Sequence, residues 1–447
     1  VSAPANARAV AVAALVRQEQ DGFSNLTLDA ELKKHDLPLR ERAFAGALFY
    51  AVLEHRGTLD YILGRFLPKG LDKLDAPVRQ ILRSALAQAK YMHVPVSAAV
   101  NEAVKLTRAF KKSSAAGLVN AVLRRACAYD LGTAVFASET ERLMALGSAG
   151  REVAEFLQTY YPQEAMGILT HATDAGKTAL RVNLLRTTPS RLAEQLLAAN
   201  AKSVESGWAP GSLLVQFEGS PAENEAFRSG LYHVEGQTSQ LAALCVDAQP
   251  GDTVIDFCAA PGGKSVTLAQ QMHNEGTLYS CDVSDNRVRL IRTAVERMGC
   301  TCVQVRRNDA AVPSAELSGA DRILADVPCS GLGILAKKPD LRYKRLNEAD
   351  LNALTALQAK ILDNAAVSLK PGGRLVYSTC TINPAENERQ IGAFLQRHPE
   401  FRVQTPERVF PQGMTIGPFG ALSVPTRTGM DGFFISVMQK ETQPAAR

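Results

Sequence analysis

Nowhere does this chain hold the roughly eighteen consecutive apolar residues that a membrane-spanning helix needs, so no membrane partner is expected. None of its eight cysteines forms a Cys-x-x-Cys pair, and Cys300-x-Cys302 has no matching partner pair. That argues against a zinc site, and no metal is expected. Dispersed cysteines without a secretion signal indicate thiols in a reducing, cytoplasmic compartment. The apolar opening "VSAPANARAVAVAALVRQEQ" is broken by Arg8 and Arg17 and reads as the start of an amphipathic helix rather than a signal peptide. Beginning at Val1 instead of methionine suggests a trimmed or tagged end. Charge of one sign is also scarce, at +5 overall. The excess lies in residues 1–150, with 20 Lys and Arg against 14 Asp and Glu. Nucleic-acid binding would explain this bias, and so would an ordinary solvated helical surface.

At 447 residues the chain exceeds one core, and 46% hydrophobic content with 21% charge fits globular domains. Over residues 1–145, "RERAFAGALFYAVLEHRGTLDYILGRFL" and "APVRQILRSALAQAKYMH" space apolar residues at helical intervals, punctuated by Pro68, Pro77 and Pro95. This predicts an all-α domain. Residues 146–235 mix helix and strand signals ("TALRVNLLR", "LLVQF", "LYHVEG"), as in a small α+β linker subdomain. From 236 to 441, strands and helices alternate, which predicts an α/β Rossmann-like domain with a parallel sheet and helices on both faces. Ligands in such sheets bind beyond the C-terminal strand ends.

Three motifs occupy successive strand ends. "DFCAAPGGK" turns sharply into a helix, and its glycines permit close backbone approach to a ligand. Its spacing is neither GxGxxG nor a phosphate loop. Asp282 in "CDVS" is placed to accept from a ribose diol, and Asp309 in "RRND" from an adenine amino group. A glycine-rich turn and two acids describe a nucleoside site without a pyrophosphate, which suits S-adenosylmethionine.

Two further strand ends each carry a thiol: Cys329 in "ADVPCSGLG" and Cys380 in "YSTCTINPAENE". Buried cysteine is usually inert packing, the reading taken for Cys127, Cys245, Cys258 and Cys281. Thiols at the functional edge can face a substrate. Carbon 5 of a pyrimidine is too weak a nucleophile to take a methyl group unaided. A thiolate added at carbon 6 makes it enamine-like and reactive. Asp326, three residues before Cys329, could serve ring nitrogen 3 with a proton or hydrogen bond. Local chemistry alone does not say which thiol attacks.

"DFCAAPGGK", "CDVS", "ADVPCSGLG" and "YSTCTINPAENE" are similar to the motifs of RNA (cytosine-5)-methyltransferases, and the helical third resembles NusB-like domains. Nearly the whole chain resembles the bacterial Sun/Fmu family, which methylates 16S ribosomal RNA. The resemblance implies S-adenosylmethionine at Cys258, Ala259, Ala260, Pro261, Gly262, Gly263, Lys264, Asp282, Asp309 and Asp326. It implies Cys380 as nucleophile and Cys329 as the thiol that assists release. DNA cytosine-5 enzymes resemble this scheme with the thiol roles exchanged. The basic segment "AKKPDLRYKR" supplies candidate RNA contacts at Lys337, Lys338, Arg342, Lys344 and Arg345, with Tyr343 stacking on a base. A solvated charged loop would read the same way. The expected partner is 16S rRNA or an assembly intermediate, bound by a monomer. Two alternatives are methylation of an exocyclic amino group, for which "DVPCS" lacks the stacking aromatic, and a non-enzymatic RNA-binding factor, which has no use for two edge thiols.

Overall fold

The computed structural model describes residues 6–21, 24–404 and 410–442, so the opening at Val1 lies outside it. The chain divides into two compact units. One runs up to Thr170 and includes Lys337–Leu346; the other holds His171–Ala336 and the chain from Asn347 onward. The helical unit thus extends past residue 145, taking in the helices Arg151–Tyr160 and Ala165–Thr170. The α+β segment is correspondingly shorter than 146–235 and belongs to the same compact unit as the large sheet.

The helical unit has no strand among its described residues. Pro38, Pro77 and Pro95 sit at or next to helix starts, where a missing N–H loses no bond. Helix Ala7–Asp21 is not amphipathic as anticipated. Ala7, Ala9, Val10, Ala11, Val12, Ala14 and Leu15 are all buried, so its first two turns are covered on nearly every side. Small side chains there suit close packing against Leu39–Glu54 and Ala76–Tyr91. Arg83 is fully buried, yet its guanidinium donates to Asp60 Oδ1 and Oδ2 at 2.6 and 2.7 Å and to Glu19. Removing one partner of such a buried pair costs about 3–5 kcal/mol.

The second unit contains two sheets. β1 (Thr178–Val182), β2 (Ala201–Ser206), β3 (Ser212–Phe217) and β4 (Tyr232–Val234) form a small antiparallel sheet in the order β2-β3-β1-β4. The large sheet comprises β5 (Thr253–Asp256), β6 (Thr277–Asp282), β7 (Val303–Arg307), β8 (Ala320–Asp326), β9 (Leu369–Thr379), β10 (Phe401–Val403), β11 (Thr415–Gly417), β12 (Gly420–Ser423) and β13 (Phe433–Lys440). Strands β7-β6-β5-β8-β9 run parallel. Antiparallel β13 then pairs with β9, and β12 and β11 follow it, so the sheet is mixed rather than all parallel.

Successive side chains on a strand point to opposite faces, and the core divides accordingly. Val254, Leu324 and Val376 pack with Leu241, Val266 and Ile291 from the helices on one face. Their neighbours Ile255, Ile323 and Tyr377 pack with Ile361, Leu362 and Phe394 on the other. The chain goes from β5 outward to β6 and β7, then returns to the opposite side of β5 for β8 and β9. That reversal opens a crevice at the C-terminal strand ends, where all five motifs lie.

Candidate active site

Strand β5 ends in the fully buried Asp256, whose Oδ2 accepts from Ser265 Oγ at 2.8 Å. Burial pushes its carboxyl up to about 7, outweighing the Ser265 bond and nearby Lys264. The turn beyond it relies on Gly262, at φ +110°, to enter helix Gly263–Gln271. A Cβ on Gly263 would come within 3.1 Å of His233 Nε2 and 3.2 Å of the Glu235 carboxyl carbon. Lys264 reaches across to β8, its Nζ 2.7 Å from Asp326 Oδ2. Burial works against this ammonium, but Asp326 and Glu235 prevail and hold it above the usual lysine range.

On the other side of β5, Asp282 is buried at the end of β6, accepting from Ser284 N at 3.2 Å with Arg287 Nε at 3.3 Å. Asp309 follows β7 and is exposed; its Oδ1 accepts from Ala311 N at 2.9 Å. Asn308, the residue before it, has its Nδ2 buried without a hydrogen-bond partner among the described residues.

Asp326 Oδ1 accepts from Ser378 Oγ at 2.7 Å, so hydrogen donors occupy both carboxylate oxygens.

The two edge thiols do meet. Register pairs Asp326 with Ser378, so Cys329 and Cys380 leave neighbouring strands side by side, and their sulfurs stand 3.1 Å apart. The Cys329 thiol is pushed well above its ordinary value by its hydrogen bond with Cys380, by burial, and by the charges of Glu386 and Asp326. The two sulfurs share one hydrogen bond, for which either can be the donor. Burial likewise raises the thiols of Cys127, Cys245, Cys258 and Cys281, as packing residues require.

Beneath the sulfurs lies a polar lattice that the spacing of motifs did not reveal. Glu386, wholly buried, accepts from Ser330 N (2.8 Å), Ser330 Oγ, Gln358 Nε2 (3.1 Å) and Asn383 Nδ2 (3.1 Å). Asn387 accepts from Thr379 Oγ1 at 2.6 Å and donates to the Thr381 carbonyl at 3.0 Å. Gly333 N donates to the Cys380 carbonyl at 3.0 Å. The available signal was "NPAENE", a dense polar run immediately after a buried strand.

The basic segment behaves differently. Arg342 is buried and donates to the Glu54 carbonyl at 3.2 Å, while its own carbonyl accepts from Gly150 N at 2.7 Å. Tyr343 accepts from Gly57 N through its hydroxyl at 2.9 Å, with Arg56 over its ring at 4.8 Å. These two residues fasten Lys337–Leu346 into the helical unit through bonds to its own backbone. Lys337, Lys338, Lys344 and Arg345 remain exposed.

Residues 243–439 match the family described as 16S rRNA methyltransferase RsmB/F, and residues 5–128 match the NusB family. The chain is 34% identical over 445 residues to "Probable ribosomal RNA small subunit methyltransferase B" of Bacillus subtilis, covering 97% of this chain and 98% of that one. It is 30% identical to ribosomal RNA small subunit methyltransferase B of Vibrio cholerae, covering 98% of each. Among solved structures it is similar to PH0851, with a TM-score of 0.82 at 26% identity, covering 98% of this chain and 100% of that one. It also resembles a methyltransferase homologue from Pyrococcus horikoshii, with a TM-score of 0.58 at 28% identity, covering 68% of this chain and 100% of that one. The chain belongs to the RsmB/F family of 16S rRNA methyltransferases.

Proposed function

We propose that this 16S rRNA methyltransferase acts on carbon 5 of a cytosine through a covalent bond between Cys380 and carbon 6 of the ring. The carrying observation is the pair of sulfurs 3.1 Å apart at the ends of neighbouring strands, with the Cys329 thiol raised above its ordinary value. Cys380 adds to carbon 6 as a thiolate, and the electron density moves to carbon 5, which takes the methyl group. Loss of the carbon-5 proton then restores the ring double bond, and the electron pair of the carbon–sulfur bond returns to Cys380. Cys329 stands where it can supply a proton to that departing sulfur. An RNA cytosine must be unpaired or flipped out to expose carbon 6.

S-adenosylmethionine, when bound, supplies the electrophilic methyl group. The residues present suit it. The turn from Cys258 to Gly263 would place only small side chains and a proline beside the ligand, ahead of the amides of a helix start. Asp282 would take the ribose hydroxyls. Asn308 Nδ2 is a buried donor without a partner among the described residues, and the next residue, Asp309, carries a carboxylate acceptor. A donor and an acceptor together would complement the N1 and N6 edge of adenine. Asp326, paired with Lys264, would accept from the ligand's ammonium or the cytosine amino group.

The helical unit, with its excess of positive charge, and the exposed Lys337, Lys338, Lys344 and Arg345 would hold the RNA backbone. The enzyme would work as a monomer, without a metal, in the cytoplasm where the rRNA is made. The test is nucleoside mass spectrometry of undermethylated 16S rRNA incubated with the enzyme and S-adenosylmethionine. 5-Methylcytosine is expected; N4-methylcytosine would overturn the reading.

A further inference from the structure

The sulfur separation is the product of two adjacent side chains pointing into different loops. Glu386 accepts both the amide and the hydroxyl of Ser330, the residue after Cys329. With Gln358 and Asn383 it receives four donors, which fills the acceptor sites of a carboxylate. Gln358 Nε2 also donates to the Pro328 carbonyl at 2.9 Å, on the other side of Cys329. Asn387 does the equivalent for the second thiol, since Thr379 and Thr381 are the two neighbours of Cys380. Ser330 Oγ and Thr381 Oγ1, 2.8 Å apart, join the two halves. Tyr377 OH donates to the Glu386 carbonyl at 2.6 Å and ties the pair to β9. Glu386, Asn387 and Ser330 are all buried.

We propose that Glu386 and Asn387 are positioning residues that divide the work: Glu386 sets the release thiol Cys329, and Asn387 sets the nucleophile Cys380. This inference rests on the covalent reading above. Glutamine at 386 would keep one acceptor oxygen and turn an amide toward buried donors. Alanine at 387 would release Thr379 and Thr381 together. Each change leaves buried donors or acceptors unsatisfied, so the affected step is expected to slow by about ten- to a hundred-fold.

The experiment follows single-turnover methyl transfer to unmodified 16S rRNA, together with the protein–RNA adduct that survives denaturation. Glu386→Gln is expected to slow adduct resolution at least ten times more than it slows transfer, so that methylated RNA stays bound to protein. Asn387→Ala is expected to slow adduct formation and transfer without adduct accumulation. A purely structural role would lower both steps in one proportion for both variants, and that result would overturn the proposal. So would unchanged resolution in Glu386→Gln. If either variant fails to fold, Ser330→Ala and Thr379→Val remove hydroxyl bonds from the same two halves, Ser330 Oγ to Glu386 and Thr381 and Thr379 Oγ1 to Asn387, and carry the same two expectations. Cys329→Ala, run in parallel, separates the failures. An adduct in Cys329→Ala but none in Glu386→Gln sinks the positioning role alone, whereas no adduct in Cys329→Ala sinks the covalent reading beneath it.

Discussion

Cys329 Sγ lies 3.1 Å from Cys380 Sγ, the two residues leaving neighbouring parallel strands. Two thiols this close cannot both be anions without severe repulsion. The Cys329 thiol is the one seen to be raised, by its bond with Cys380, by burial and by nearby carboxylates. On the proposed covalent reading, Cys380 would attack the ring and Cys329 would protonate it on departure.

Proximity itself can be measured. A disulfide needs sulfurs at about 2.05 Å, a closure of about one ångström from the separation seen here. Diamide should therefore form a Cys329–Cys380 disulfide, abolish methyl transfer, and be fully reversed by dithiothreitol. Peptide mapping that found both thiols unpaired after treatment would contradict the geometry.

The proton on Cys329 makes a pH prediction. Its thiol sits well above the ordinary range because of Cys380, burial, and the Glu386 and Asp326 charges. With Cys380 bonded to the ring, burial and the Glu386 and Asp326 charges still raise this thiol, so a step that consumes its proton fades only above that raised pKa. Rapid-quench measurement of adduct resolution should show no decline between about pH 7 and 9, although a free thiol titrates near 8.5. A decline centred near 8.5 would contradict the assignment.

Asp256 links stability to pH with the opposite sign from a surface acid. Folded, it holds its proton up to about 7; unfolded, it releases it near 4. The folded state therefore binds more protons across that window, and stability is lost as pH rises from about 4 to 7. Asp256→Asn removes this loss. Its Tm relative to the parent should climb between pH 5 and pH 8, as read by thermal unfolding, and a constant difference would refute the buried charge.

RNA affinity should fall steeply with salt. Replacing Lys337, Lys338, Lys344 and Arg345 with alanine should lower the slope of log K against log salt by up to about three, at 0.7–0.9 per phosphate contact. Tyr343→Phe should leave the slope alone. It strands the Gly57 N–H and should cost about 1–3 kcal/mol of stability, visible as a lower Tm. A changed slope in Tyr343→Phe would return that residue to the RNA surface.

Strand ends were the legible part of this molecule. The apolar runs before Asp256, Asp282, Asp326 and Cys380 are largely buried, and their turn residues lie in local sequence, so periodicity finds them. β2 escaped notice because "AKSVES" is largely exposed and lies at the edge of the small sheet, without a hydrophobic alternation to read. The fates of Arg342 and Tyr343 were hidden for another reason. Their partners, Glu54 and Gly57, lie nearly 290 residues earlier, and a basic segment looks the same whether its cations face solvent or a carbonyl. Glu386 escaped in turn because a buried acid with four donors is indistinguishable, in sequence, from an exposed one.

The most direct measurement is to incubate Cys329→Ala with 16S rRNA and S-adenosylmethionine, digest the denaturation-resistant complex, and locate the nucleotide-bearing peptide by mass spectrometry. The methylated cytosine should be found on the Cys380 peptide, with no complex formed once Cys380 is also replaced by alanine. A nucleotide attached elsewhere, or full methylation by Cys380→Ala, would contradict attack by that sulfur.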